Sequence, residues 1–115
     1  MAAEAFVVGA LINLDVGSDP AAVGAAVTTA LCGHSEHEGP CRWPHNNAID
    51  SSGAPARFRT LYVADPAEAE LVESRVRAAL EASSGWATVV VERRPVGEAD
   101  GPLAARLLRG PRAPG

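Results

Sequence analysis

The dipeptide Asp-Pro occurs at Asp19-Pro20 and again at Asp65-Pro66, each time between an apolar, β-branched segment and a stretch with helical spacing. An Asp at a helix start accepts from the first free backbone N–H groups. Proline in the first turn loses nothing there, because that N–H has no partner inside the helix. The chain is therefore expected to hold two strand-then-helix units. Its 115 residues suit one domain, since two separate cores of about 55 residues each would be marginal.

In the first unit, Ala5–Asp15 reads as a strand with Phe6, Val8, Ala10, Ile12 and Leu14 on one face. Val7, Gly9, Leu11 and Asn13 lie on the other, so neither face should be fully wet. Val23, Ala26, Val27, Ala30 and Leu31 then recur at helical spacing, with Gly33 as a natural stop. In the second unit, Arg57–Ala64 is the strand, and Asp65 with Glu68 predicts a capping box. Ala69, Val72, Val76, Ala79 and Leu80 form the helical stripe. Glu73–Arg77 and Arg77–Glu81 are i,i+4 pairs worth a few tenths of a kcal/mol each. A last strand, Trp86–Arg94, is ended by Pro95-Val96-Gly97, and a short helix follows over Pro102–Arg109.

The interval from Cys32 to Ala56 is longer than the roughly 12–15 residues at which structureless loops become uncommon. A short strand near Asn47–Asp50, turning through Ser51-Ser52-Gly53, would shorten it. The order is then β-α-β-β-α-β. That is the ferredoxin-like, or split βαβ, plan: an α+β two-layer sandwich, here with a C-terminal helix. The alternative is a three-stranded βαβαβ layer with a long insertion. On either plan, residues 1–110 form one domain with a Cys/His-rich loop at 32–50, and 111–115 form a flexible tail. Val7, Leu11, Arg59, Leu61, Val63, Val90 and Glu92 would occupy the sheet face away from the helices. A half-apolar face meets a second chain, a terminal helix or a ligand, and a homodimer is the expectation taken here.

The chemistry gathers in one window. Both cysteines and all three histidines of the chain fall in Cys32-Gly-His34-Ser-Glu-His37-Glu-Gly-Pro-Cys41-Arg-Trp-Pro-His45. Random scattering would do this on the order of once in a thousand sequences. Zinc takes thiolate and imidazole in a tetrahedron, so Cys32, His34, His37, Cys41 and His45 are five candidates for four positions. Cys32, Cys41 and His45 are preferred, with His34 or His37 as the fourth. Glu36 and Glu38 could orient a ligand imidazole. A structural zinc supplies about 10–16 kcal/mol in small peptides, against about 1–2 kcal/mol for each residue fixed. One ion could therefore order a loop of this size. The spacing matches no two-knuckle zinc finger, so it points to a metal and not to a named module.

Other readings stand beside this one. With only three protein ligands the zinc would keep an open position and activate water, which would make the protein an enzyme. Cys41 with His37 or His45 as base would be a nucleophile pair. A Cys32–Cys41 disulfide fits an exported protein, and a solvated loop without function fits any. A domain that binds a ligand or a second copy on its open sheet face is a further class. Trp43 reads as loop core ahead of a lid or an exposed recognition ring, and Asn46-Asn47 as a turn. Asp50 reads as turn chemistry, and Phe58 and Tyr62 as core ahead of a base-stacking platform.

Composition narrows the field. The net charge is −4 and every basic residue is Arg, so the chain lacks the basic footprint of a nucleic-acid binder. Only the end is basic, with Arg93, Arg94, Arg106, Arg109 and Arg112 against Glu98 and Asp100; a solvated tail is expected there. No apolar run reaches the roughly 18 residues of a membrane helix. The start, Met1-Ala-Ala-Glu, lacks the basic region of a secretory signal. The expected compartment is cytoplasmic and reducing, which favours metal over disulfide. No phosphate loop, serine elbow or HExxH helix is present.

Overall fold

The computed structural model describes residues 3–32, 42–82 and 85–110. The elements are β1 (Glu4–Leu14), α1 (Ala21–Cys32), β2 (His45–Asp50), β3 (Ala56–Ala64), α2 (Ala69–Glu81), β4 (Trp86–Arg94) and α3 (Gly101–Arg109). The four strands form one sheet in the order β2-β3-β1-β4, and each neighbouring pair is antiparallel. The three-stranded alternative is thereby set aside. β1 and β2 run parallel with β3 between them, and β3 and β4 run parallel with β1 between them. Each helical crossover thus leaves a slot that a strand of the other unit fills.

The turn from β1 into α1 needs Gly17, whose φ of 83° is left-handed. Asp19 Oδ1 then accepts from Ala21 N at 2.9 Å, as the first Asp-Pro predicts. The second behaves likewise: Asp65 Oδ1 accepts from Ala67 N at 2.9 Å, and one 3-10 turn leads into α2. The other half of the expected capping box does not form there. Glu68 pairs instead with Arg42, which lies just ahead of β2. Similarly, Arg77 pairs with Glu73 at 3.1 Å and donates to the Val91 carbonyl at 3.3 Å rather than reaching Glu81.

The alternation in β1 holds. Val8, Ala10 and Ile12 join Val23, Val27 and Leu31 of α1 and Val72, Val76 and Leu80 of α2 in the main core. Phe58, Tyr62 and Trp43 lie in the same core, as the core readings of all three expect. On the other face a smaller cluster forms from Val7, Leu61 and Ala104. There α3 lies over one end of the sheet and covers part of the apolar face. At the opposite end β4 carries a bulge: Leu11 faces Val90 and Ile12 faces Thr88, leaving Val89 without a cross-strand partner. No helix among the described residues is long and apolar enough to cross a membrane.

Candidate functional site

The Cys/His window begins at the end of α1 and ends on β2, and the fold brings those two ends together. On α1, Gly24, Thr28 and Cys32 are spaced four apart and so share a helix face. On β2, His45, Asn47 and Ile49 alternate toward the helices, while Asn46, Ala48 and Asp50 point away. Asn46 and Asn47 therefore lie in a strand, correcting the expected turn. Their local preference is overruled by the ladder to β3, where Asn46 faces Leu61 and Asn47 faces Thr60.

The His45 ring sits between three groups. Its Nδ1 lies 3.1 Å from the Trp43 carbonyl, its Nε2 lies 2.9 Å from Thr28 Oγ1, and Cys32 Sγ lies 3.9 Å from Nδ1. A carbonyl only accepts, so these contacts place the proton on Nδ1. Nε2 then accepts from the Thr28 hydroxyl. Thr28 Oγ1 in turn accepts from Asn47 Nδ2 at 3.1 Å, and the same amide donates to the Gly24 carbonyl at 3.0 Å. The chain Asn47→Thr28→His45→Trp43 fixes the imidazole from both sides. Close approach depends on Gly24, because a Cβ there would stand 3.3 Å from Asn47 Cβ.

The surroundings are closed. Trp43 is 2% exposed, and its ring carries the Arg42 guanidinium at 4.5 Å and that of Arg75 at 5.1 Å. Tyr62 faces His45 across the β2–β3 ladder. Burial pushes its phenol up to about 12, against the nearby Arg93 charge. Asn47 Oδ1 and Thr60 Oγ1 are buried cross-strand neighbours, and neither has a hydrogen-bond partner among the described residues. Farther out, Asp50 takes the Ser52 hydroxyl at 2.6 Å and the Ser52 N–H at 3.0 Å, as turn chemistry predicts. Those two bonds hold its carboxyl below the usual carboxylate range.

Of the five candidate ligands, the fold brings Cys32 and His45 together; His34, His37 and Cys41 lie outside the described residues. Among the described residues no group of three His, Cys, Asp or Glu side chains is arranged to hold a metal ion. Zinc bond lengths at a tetrahedral angle set the sulfur-to-nitrogen edge at about 3.6 Å, and the Cys32–His45 separation is 3.9 Å. Cys32 is disulfide-bonded in this structure. Thr28 and Asn47 were not read as site residues from the sequence. The four-residue spacing to Cys32 and the two-residue spacing to His45 carry the signal for both.

The open face holds a second arrangement. Arg57 and Arg59 are two apart on β3 and project to that face, as does Arg94 on β4. With Gly9, Leu11 and Val90 they line a groove of about 600 Å³. Arg59 Nη1 donates to the Asn46 carbonyl at 2.7 Å and to its Oδ1 at 3.0 Å. Comparison with protein-family models, with curated proteins and with solved structures finds no match for this chain.

Proposed function

We propose that this chain is a small cytoplasmic metal-binding domain of ferredoxin-like plan, with one zinc ion at the α1–β2 corner in a structural or regulatory role. Cys32 and His45 are two ligands, Cys41 a third, and His34 or His37 the fourth. The observation that carries this reading is the Cys32–His45 separation, 3.9 Å across a sequence gap of 13. That is close to the edge of a zinc tetrahedron. Thr28 supports it from behind: a metal bound at Nδ1 would require the tautomer with the proton on Nε2, which would donate to Thr28 Oγ1 and fix the ring as the outer partner of a ligand histidine does. The strand order, with each βαβ unit split by a strand of the other, supports the fold part of the reading. α3 covers Val7 and Leu61 at one end of the open face, so the expected homodimer would have to form over the remaining end.

The disulfide at Cys32 favours a second reading. In an oxidising setting the same corner closes as a disulfide, with no metal. Elemental mass spectrometry, paired with a thiol count on protein purified without chelator, separates the two. About one zinc per chain, lost in both Cys32→Ser and His45→Ala, is the expected result. A metal-free chain without titratable thiols establishes the disulfide. A metal-free chain with both thiols reactive removes the metal reading.

A further inference from the structure

The geometry points to a binding site on the open sheet face for a small molecule with an apolar body and a single oxyanion head. The site is independent of the metal reading, because the α1–β2 corner lies on the opposite face of the sheet.

The register lays this face out in rows. Arg59, Gly9 and Glu92 stand side by side across β3, β1 and β4, and the next row along is Arg57, Leu11 and Val90. The second row is apolar from its centre outward: Leu11 lies beside Val90, which is 43% exposed on the edge strand β4. The first row has no side chain at its centre. Arg94 fills that place from above: a Cβ at Gly9 would stand 2.9 Å from Arg94 Nε. A guanidinium thus lies over bare backbone, about 7 Å along the strand from the apolar row.

The charges in the groove are unevenly engaged. Arg59 is committed to Asn46 and lies 4.0 Å from Asp100. Among the described residues, Arg57 and Arg94 make no hydrogen bond or ion pair. Two carboxylates face the same groove, Glu92 and Asp50; Asp50 holds the Ser52 hydroxyl and N–H and stands opposite Arg57 across the β2–β3 ladder. The groove lining therefore carries three guanidinium groups, Arg57, Arg59 and Arg94, against the two carboxylates, an excess of one positive charge in a chain whose net charge is −4. Guanidinium groups beside an apolar floor suit a carboxylate or phosphate head carried on an aliphatic or aromatic body. The groove volume of about 600 Å³ lies in the range of small-molecule sites.

The test is calorimetric titration of the full chain with octanoate, with octanol as the neutral counterpart and octyl phosphate as the alternative head. Octanoate or octyl phosphate is expected to bind at least about tenfold tighter than octanol. Arg57→Gln and Arg94→Gln should each weaken the anion about three- to tenfold and leave octanol unchanged. Glu92→Gln should tighten it. Gly9→Ala, which displaces the Arg94 guanidinium, should act like Arg94→Gln while circular dichroism shows the fold intact. Equal binding of octanol and octanoate would reduce the groove to a plain apolar patch and overturn the proposal. So would inorganic phosphate binding as tightly as octyl phosphate, weaker binding in Glu92→Gln, or no anion binding in the millimolar range.

Discussion

On the face toward α1 and α2, alternate residues of β1 and β3 are sealed: Val8, Ile12, Thr60 and Tyr62 have no exposed surface. The same strands turn Gly9, Leu11, Arg57 and Arg59 to the opposite face, where α3 closes only one end. The two faces share a backbone and differ in what covers them. The helical face is closed by two long crossovers that the topology requires, and Asn47, Thr28 and His45 on it are drawn into a hydrogen-bonded chain ending at the Trp43 carbonyl, with Thr60 Oγ1 outside it. The open face is closed by one short appended helix, so its polar groups keep their charge and their access to solvent. Burial gathers most polar groups into shared hydrogen bonds on one side, and exposure leaves guanidinium groups open to solvent on the other.

A pair of truncations in adjacent residues of β1 tests this contrast most strongly. Ile12→Ala should cost about 2–5 kcal/mol and Leu11→Ala less than about 1 kcal/mol, measured by denaturant unfolding. Equal losses would mean that a second copy or another partner covers the open face in solution. A smaller effect comes from Tyr62, the sole tyrosine, whose hydroxyl donates to the Ala69 carbonyl at 3.1 Å. Its phenol is raised from 10.0 to about 12 by burial. The sign follows from linkage: this stabilisation is complete below pH 10 and is lost as pH rises toward 12. Near-ultraviolet phenolate absorbance should therefore titrate late and together with unfolding. Tyr62→Phe should lose about 1 kcal/mol at neutral pH and show a flatter alkaline limb. A phenolate that forms near pH 10 in the folded chain would mean that the helical face is not sealed at Tyr62. The smallest effect is expected at Gly24. In an exposed helix Gly→Ala gains about 1 kcal/mol. Here the new methyl meets Asn47, whose side chain is tied to Gly24 and Thr28. A loss of about 0.5–1 kcal/mol is expected in thermal unfolding, and a gain would show that β2 is not held against α1 at this point.

Most element boundaries were legible, because they rest on local signals. Trp86–Arg94 coincides with β4, and β3 begins one residue before the expected Arg57. The first Asp-Pro places its helix correctly, and the second starts a 3-10 turn over Pro66–Glu68 that delays α2 to Ala69. β2 begins two residues before its expected start, since His45 and Asn46 carry no β-forming signal of their own. Their strand conformation comes from the β3 ladder, formed with residues more than ten positions away. The site was legible in part. The clustering of cysteine and histidine marks the corner, but it does not show that Thr28 and Asn47 hold the ring. The arginines are spread along the chain, and only the period of two in Arg57-x-Arg59 hints locally that some gather on a face.

By itself the sequence determined the periods, the helix starts and the collection of every thiol and imidazole in one window. These depend on backbone preferences and on neighbours within a turn or two. Only the tertiary structure decided which polar groups meet. Thr28 reaches His45 across a separation of 17 residues, and Arg94 comes to rest over Gly9. Both follow from strand order and register, which are set by how two interleaved βαβ units share a sheet rather than by any local run of residues.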